Sequence, residues 1–83
     1  MANSIDVEEI DLAHLARRLL SAVGSPVEGY VVGRTLMRDA VADILGCSLL
    51  EAENLVETLI GRGLIVRRGG EQSSHDVEWL IKP

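Results

Sequence analysis

Two amphipathic helical patterns meet within a few residues in the middle of the chain, and this junction most constrains the fold. Residues 36–45 carry apolar side chains at helical spacing, and Gly46 can end that helix in a left-handed conformation. Ser48 can begin the next helix at once, with Glu51 three residues later completing a capping box. Because the intervening segment is too short for a separate loop, the sequence predicts two helices packed across a tight turn.

The apolar period changes from helical to two after Gly63. Leu64-Ile65-Val66 predicts a short strand that continues into Arg67-Arg68. Residues 69–75 are polar and contain glycine, which is typical of a hairpin loop. The alternation of Val77, Trp79 and Ile81 with more polar neighbours predicts a returning strand, so the chain is expected to end in a β-hairpin.

The first third of the chain predicts another helix and a short strand. Apolar residues at helical spacing predict a helix over 7–23, with Asp6 as its N-cap and Glu9 closing a capping box. Tyr30-Val31-Val32 consists of strand-forming residues between two glycines, which predicts a short strand or extended segment. We therefore expect the second helix to begin near Thr35.

Length and composition exclude several classes of protein. With 83 residues the chain is one domain, and 13 acidic residues against 8 basic ones give a net charge of −5. That charge weakens the case for nonspecific binding to nucleic acid or to an anionic membrane. Cys47 is the single cysteine, which excludes an internal disulfide and a multi-cysteine zinc site. No apolar run approaches a membrane span, and the start lacks a signal peptide, so we expect a cytoplasmic protein.

No group of residues has the pattern of an active site. We find no nucleophile beside a base and no glycine-rich phosphate loop, since Gly61-Arg62-Gly63 and Gly69-Gly70 lack the required lysine. His14 and His75 have no second ligand at a useful spacing. The sequence therefore predicts no enzyme, no cofactor and no metal site.

The order of elements resembles the winged helix-turn-helix domain of small bacterial transcription regulators. The resemblance runs from about Leu36 to Ile81, and it rests on the spacing of the following residues: Ala42, Gly46, Ser48, Ala52, Leu55, Leu59, Gly63 and the Arg67-Arg68 pair. It implies an α+β fold with a three-helix core, a C-terminal β-hairpin wing and a short extra strand. The implied single domain, 1–83, divides into a cap segment 1–6, helix 7–23, helix-turn-helix 35–62 and wing hairpin 64–82.

The resemblance also implies a binding face. The third helix would be the recognition helix, whose first turns the family lays in the DNA major groove while the wing touches the backbone or minor groove. Its outward residues are Leu50, Glu51, Glu53, Asn54, Glu57 and Thr58, followed by Arg62 at the helix end. The wing would present Arg67, Arg68, Gln72, Ser73, Ser74 and His75.

The charge of the third helix separates two functional hypotheses. Between Ser48 and Gly61 the sequence has three glutamates and no lysine or arginine, whereas helices that read a groove usually carry positive charge. This pattern favours a protein-interaction adaptor that docks through the acidic helix and the wing. The alternative is a dimeric regulator that binds double-stranded DNA through the same helix and the arginines of the wing.

Each candidate residue also has a purely structural interpretation. Glu51 is expected to serve the cap, while Glu53 and Glu57 could lie on a solvated face or a docking face. Leu50 is expected to pack on the second helix. The wing arginines could protect an edge strand instead of binding a ligand, and Cys47 is expected to be a buried structural thiol rather than a redox sensor. A homodimer through a second apolar edge of the first helix is possible, formed by Ile5, Val7 and Leu20.

Overall fold

The protein has an α+β fold, which a computed structural model describes for residues 11–70 and 76–83. These residues form three helices and one three-stranded antiparallel sheet. The helices are α1 (Leu12–Val23), α2 (Tyr30–Leu45) and α3 (Leu49–Gly61), and the strands are β1 (Val27–Glu28), β2 (Ile65–Arg68) and β3 (Glu78–Ile81). The sheet order is β1-β3-β2, so the last strand lies in the centre and β2 is an edge strand.

Helix α1 begins later than its apolar pattern indicates. Asp11 has an extended backbone, with φ −75° and ψ 98°, and its side chain accepts a hydrogen bond from the backbone N–H of His14 at 3.1 Å. Asp11 is therefore the N-cap, and the prediction of one continuous helix over 7–23 is wrong. The predicted capping box of Asp6 and Glu9 lies outside the described residues, as do Ile5 and Val7.

The segment predicted to be a strand around Val31 is instead the first turn of α2. Strand β1 ends at Glu28, and Gly29, with φ 90°, turns the chain directly into the helix. The carbonyl of Gly29 accepts a hydrogen bond from the indole N–H of Trp79 at 2.9 Å. The backbone N–H of Gly29 donates to the carbonyl of Val77 at 2.8 Å. These contacts with the end of the chain fix the turn, so tertiary structure outweighs the strand propensity of the following residues.

The tight turn between α2 and α3 is confirmed. Gly46 has a left-handed backbone, with φ 65° and ψ 31°, and its N–H donates to the carbonyl of Ala42. Ser48 and Glu51 form the predicted capping box: the Ser48 hydroxyl accepts from the Glu51 N–H at 3.1 Å, and the Glu51 carboxylate accepts from the Ser48 N–H at 3.3 Å. The two helices are thus joined as the sequence predicts, although α2 begins at Tyr30 rather than near Thr35.

The returning strand is confirmed as well. As β3 it pairs with β1 on one side and with β2 on the other. Ile65 pairs with Ile81, and Val27 pairs with Trp79 on the other side of β3. Residues 71–75 of the connecting loop lie outside the described part of the chain. One core unites helices and sheet, with these buried side chains: Leu15, Ala16, Leu19, Val27, Met37, Val41, Ala52, Leu55, Val56, Leu59, Ile65, Val77, Trp79 and Ile81.

Candidate functional site

An open groove of about 470 Å³ lies between the outer faces of α2 and α3. Helix α2 contributes side chains one turn apart, because residues four positions apart lie on the same helical face. The groove is lined by Tyr30, Val31, Arg34, Thr35 and Arg38 of α2 and by Glu53, Asn54 and Glu57 of α3. From Tyr30 to Arg38 the α2 wall extends for about 12 Å at the helical rise of about 1.5 Å per residue.

An ion pair bridges the two walls of this groove. The Arg34 guanidinium lies 2.6 Å from a carboxylate oxygen of Glu57. This hydrogen bond raises the pKa of Arg34 above its usual value, against the opposing effect of partial burial, and Tyr30 contributes a smaller effect in the same direction. Arg34 is therefore a permanent cation whose charge is already compensated within the protein.

Two further arginines near the expected binding face are also paired with carboxylates. Arg38 donates from Nε and a terminal nitrogen to Asp39, at 3.1 and 2.9 Å. Arg68 on β2 likewise donates from Nε and a terminal nitrogen to the carboxylate of Glu78 on the central strand, at 3.1 and 2.7 Å. This cross-strand pair fits the structural interpretation in which charge protects the edge strand.

The charges left without a partner are distributed unevenly. Glu53 forms no hydrogen bond or ion pair with the part of the chain that the structure describes, and it lies in the groove. The exposed side chains of Arg62 and Arg67 also have no ion-pair partner there, but neither lines the groove. Within the groove, the carboxylate of Glu53 is therefore available to a ligand, whereas Arg34 and Arg38 are already paired with carboxylates.

Apolar side chains are exposed at the groove and beside it. Val31 in the α2 wall is 70% exposed, and Leu50 in the first turn of α3 is also 70% exposed. The expectation that Leu50 packs on the second helix is therefore wrong. Leu50 precedes Glu53 by three positions and Asn54 by four, so the three share one face of α3. Val32 and Leu36 are exposed too but do not line the groove.

Comparison with protein-family models, with curated proteins and with solved structures finds no match for this chain. The described helices include none with the length and apolar character that a membrane crossing requires.

The residues predicted for the binding face are only partly brought together. Glu53, Asn54 and Glu57 line the groove, while Thr58 is half-buried and its hydroxyl donates to the Asn54 carbonyl at 2.9 Å. Arg62 caps the end of α3, outside the groove. Gln72 and His75 of the wing lie outside the described residues.

The α2 wall of the groove lies outside the site residues that the sequence predicts. Tyr30 and Val31 belong to the predicted strand, and Arg34 and Arg38 are not among the predicted site residues. The repeat of Tyr30, Arg34 and Arg38 at every fourth position could have identified the wall, but only with a helix that starts at Tyr30.

Cys47 lies in the turn between α2 and α3, partly buried against the core. Burial raises the pKa of its thiol, and the neighbouring Glu51 carboxylate raises it further. This shift is opposite to the lowered pKa that activates a redox cysteine at a helix N-terminus. The thiol therefore lacks the environment that activates a redox cysteine, and it is partly buried rather than buried as the sequence predicts.

Proposed function

We propose that this chain is a winged helix-turn-helix domain that acts as a non-enzymatic protein-interaction module, docking a partner on the face formed by α2 and α3. The resemblance in sequence supports the domain assignment, together with the order of elements and the central position of β3 in the sheet. A protein partner fits an open groove that combines exposed apolar side chains with charged ones.

The ion pair between Arg34 and Glu57 is the observation that carries this proposal. A helix that enters a DNA groove lies between two rows of phosphates, and its affinity comes mainly from cations that displace counterions. In this groove Arg34 is paired with Glu57 and Arg38 with Asp39, and Glu53 adds a carboxylate that has no partner among the described residues. Such a surface presents no unpaired cation to a polyanion among its described lining residues, whereas a protein partner can match both its charge and its apolar side chains.

A duplex titration tests the DNA alternative directly. Fluorescence anisotropy with a labelled random-sequence duplex is measured at low and at moderate salt. We expect no saturable binding even at low salt. Binding by Arg62, Arg67 and the wing would instead give an affinity whose logarithm falls with that of the salt concentration by about 0.9 per phosphate contact, and that result would overturn the proposal.

Site-specific photo-crosslinking tests the docking face. A photoreactive amino acid replaces Val31 in the groove or, as a matched control, Ser21 on the exposed surface of α1. In the native host, we expect a Val31 adduct that protease removes and nuclease leaves intact, with no equivalent adduct at Ser21. A nuclease-sensitive adduct, equal adducts at both positions, or none at Val31 would contradict docking of a protein on this face.

A further inference from the structure

We infer that the groove binds a partner segment that carries an arginine or lysine next to apolar side chains, an inference that rests on the proposed docking function. The cationic side chain would pair with Glu53, and the apolar side chains would cover Val31 and Leu50. The inference thus specifies the chemistry of the partner at this site.

The selectivity for a cation follows from the way the groove distributes its charges. Arg34 is paired with Glu57, and Arg38 is paired with Asp39. Glu53 has no partner among the described residues, and it lies on the α3 wall one turn before Glu57. An incoming cation meets an available carboxylate, whereas an incoming anion has to compete with Glu57 or Asp39 for an arginine.

The apolar requirement follows from exposure. Val31 and Leu50 are each 70% exposed; Val31 lines the groove, and Leu50 lies outside it, one turn before Glu53 on α3. Covering both removes apolar surface from water, which a purely basic and hydrophilic segment cannot do. The α2 wall of about 12 Å accommodates about two turns of a helical segment or about four extended residues.

Charge also disfavours the other occupants of the groove. A second copy of this chain has a net charge of −5 and would bring its own Glu53 to the contact. Residues 1–10 of the chain contain three carboxylates, Asp6, Glu8 and Glu9, and no lysine or arginine. A nucleic acid is a polyanion and meets no unpaired cation among the described lining residues, so a basic amphipathic protein segment is the occupant that complements the surface.

Selection from a random peptide library displayed on phage tests this chemistry with the full chain as bait. The wild type is compared with Glu53→Lys and with Asp43→Lys, which makes the same change of charge at an exposed position of α2 outside the groove. We expect the wild type and Asp43→Lys to enrich the same peptides, with arginine or lysine beside aliphatic or aromatic residues. Glu53→Lys should lose that enrichment.

The enriched peptides then allow an exchange of charges. Measured as purified peptides by calorimetry, they should bind Glu53→Lys about tenfold more weakly than wild type, because a surface ion pair is replaced by a like-charge contact. The same peptides with glutamate at the cationic position should regain affinity for Glu53→Lys. Since a misfolded variant cannot gain affinity, this recovery separates recognition from loss of structure.

Three results would overturn the inference: peptides without a preferred cation, equal effects of the two lysine substitutions, or no enrichment at all. The crosslink at Val31 is measured independently of these selections. A protein adduct at Val31 combined with any of the three would reject the basic segment while leaving the docking function in place. Loss of the adduct would reject the docking function itself.

Discussion

Gly33 of α2 lies directly against the indole of Trp79 on β3. A Cβ atom added at Gly33 would lie 2.7 Å from Cδ1 and 3.0 Å from Nε1 of this ring, and 3.1 Å from the carbonyl oxygen of Glu28. Trp79 is 2% exposed, and its indole N–H donates a hydrogen bond to the carbonyl of Gly29. The ring also packs on Tyr30, with centroids 5.7 Å apart. The start of α2, and with it one end of the groove, is therefore held by a residue near the end of the chain.

We expect Gly33→Ala to destabilise the protein. The added methyl gains helix propensity, but the buried ring and the backbone carbonyl leave no room for it, so we expect a net loss of about 1–3 kcal/mol in the free energy of unfolding. Urea unfolding followed by the fluorescence of the single tryptophan measures this change. Gly61→Ala is the matched control, since its Cβ meets nothing within 4 Å, and it should be neutral or stabilise by up to about 1 kcal/mol. Equal effects at both positions would refute the steric explanation.

Ser48→Ala should lower stability by about 1 kcal/mol, because it removes the hydroxyl that accepts from the Glu51 N–H at the start of α3. The midpoint of urea unfolding reports this loss. Ser21→Ala, on the exposed side of α1, should stay within about 0.5 kcal/mol of wild type. An unchanged midpoint for Ser48→Ala would show that the capping box does not stabilise the junction.

The Arg34–Glu57 pair should contribute a small, salt-sensitive coupling. Its side chains are 21% and 59% exposed, so we expect a double-mutant cycle of Arg34→Gln and Glu57→Gln to give about 0.2–1 kcal/mol. The coupling should shrink at about 1 M salt, where the Debye length is about 3 Å. A parallel cycle of Arg34→Gln with Glu53→Gln should give less, because those side chains form no ion pair. Equal couplings in both cycles would contradict the pairing.

The Cys47 thiol should react slowly with iodoacetamide in the folded protein. Burial raises its pKa, so the folded state disfavours the thiolate that attacks the reagent. The corresponding stabilisation is present below the pKa of the unfolded chain and is lost as the pH rises through the raised pKa of the folded protein. Intact mass follows alkylation against pH, with the chain unfolded in urea as the control, and the single cysteine makes the assignment unambiguous. Faster alkylation in the folded protein would contradict this.

Short-range patterns were sufficient to predict α3 and its cap. The capping box of Ser48 and Glu51 and the left-handed Gly46 depend on residues within a few positions of each other, and both were found where expected. The returning strand with Trp79 and Ile81 was also predictable, because a period of two needs only one buried face. The acidic residues of the groove, Glu53 and Glu57, could be proposed from the same helical spacing.

The sequence by itself determined the helical and strand periods, the tight turn and the negative charge of the third helix, because each depends on neighbours along the chain. Tertiary structure decided where α2 begins: Trp79, 50 positions from Gly29, fixes the preceding turn and places Val31 in a helix. It also decided which arginines are compensated, since Arg34 and Glu57 lie 23 positions apart. No local sequence pattern encodes such long-range contacts. The groove depends on them, because its two walls come from different helices.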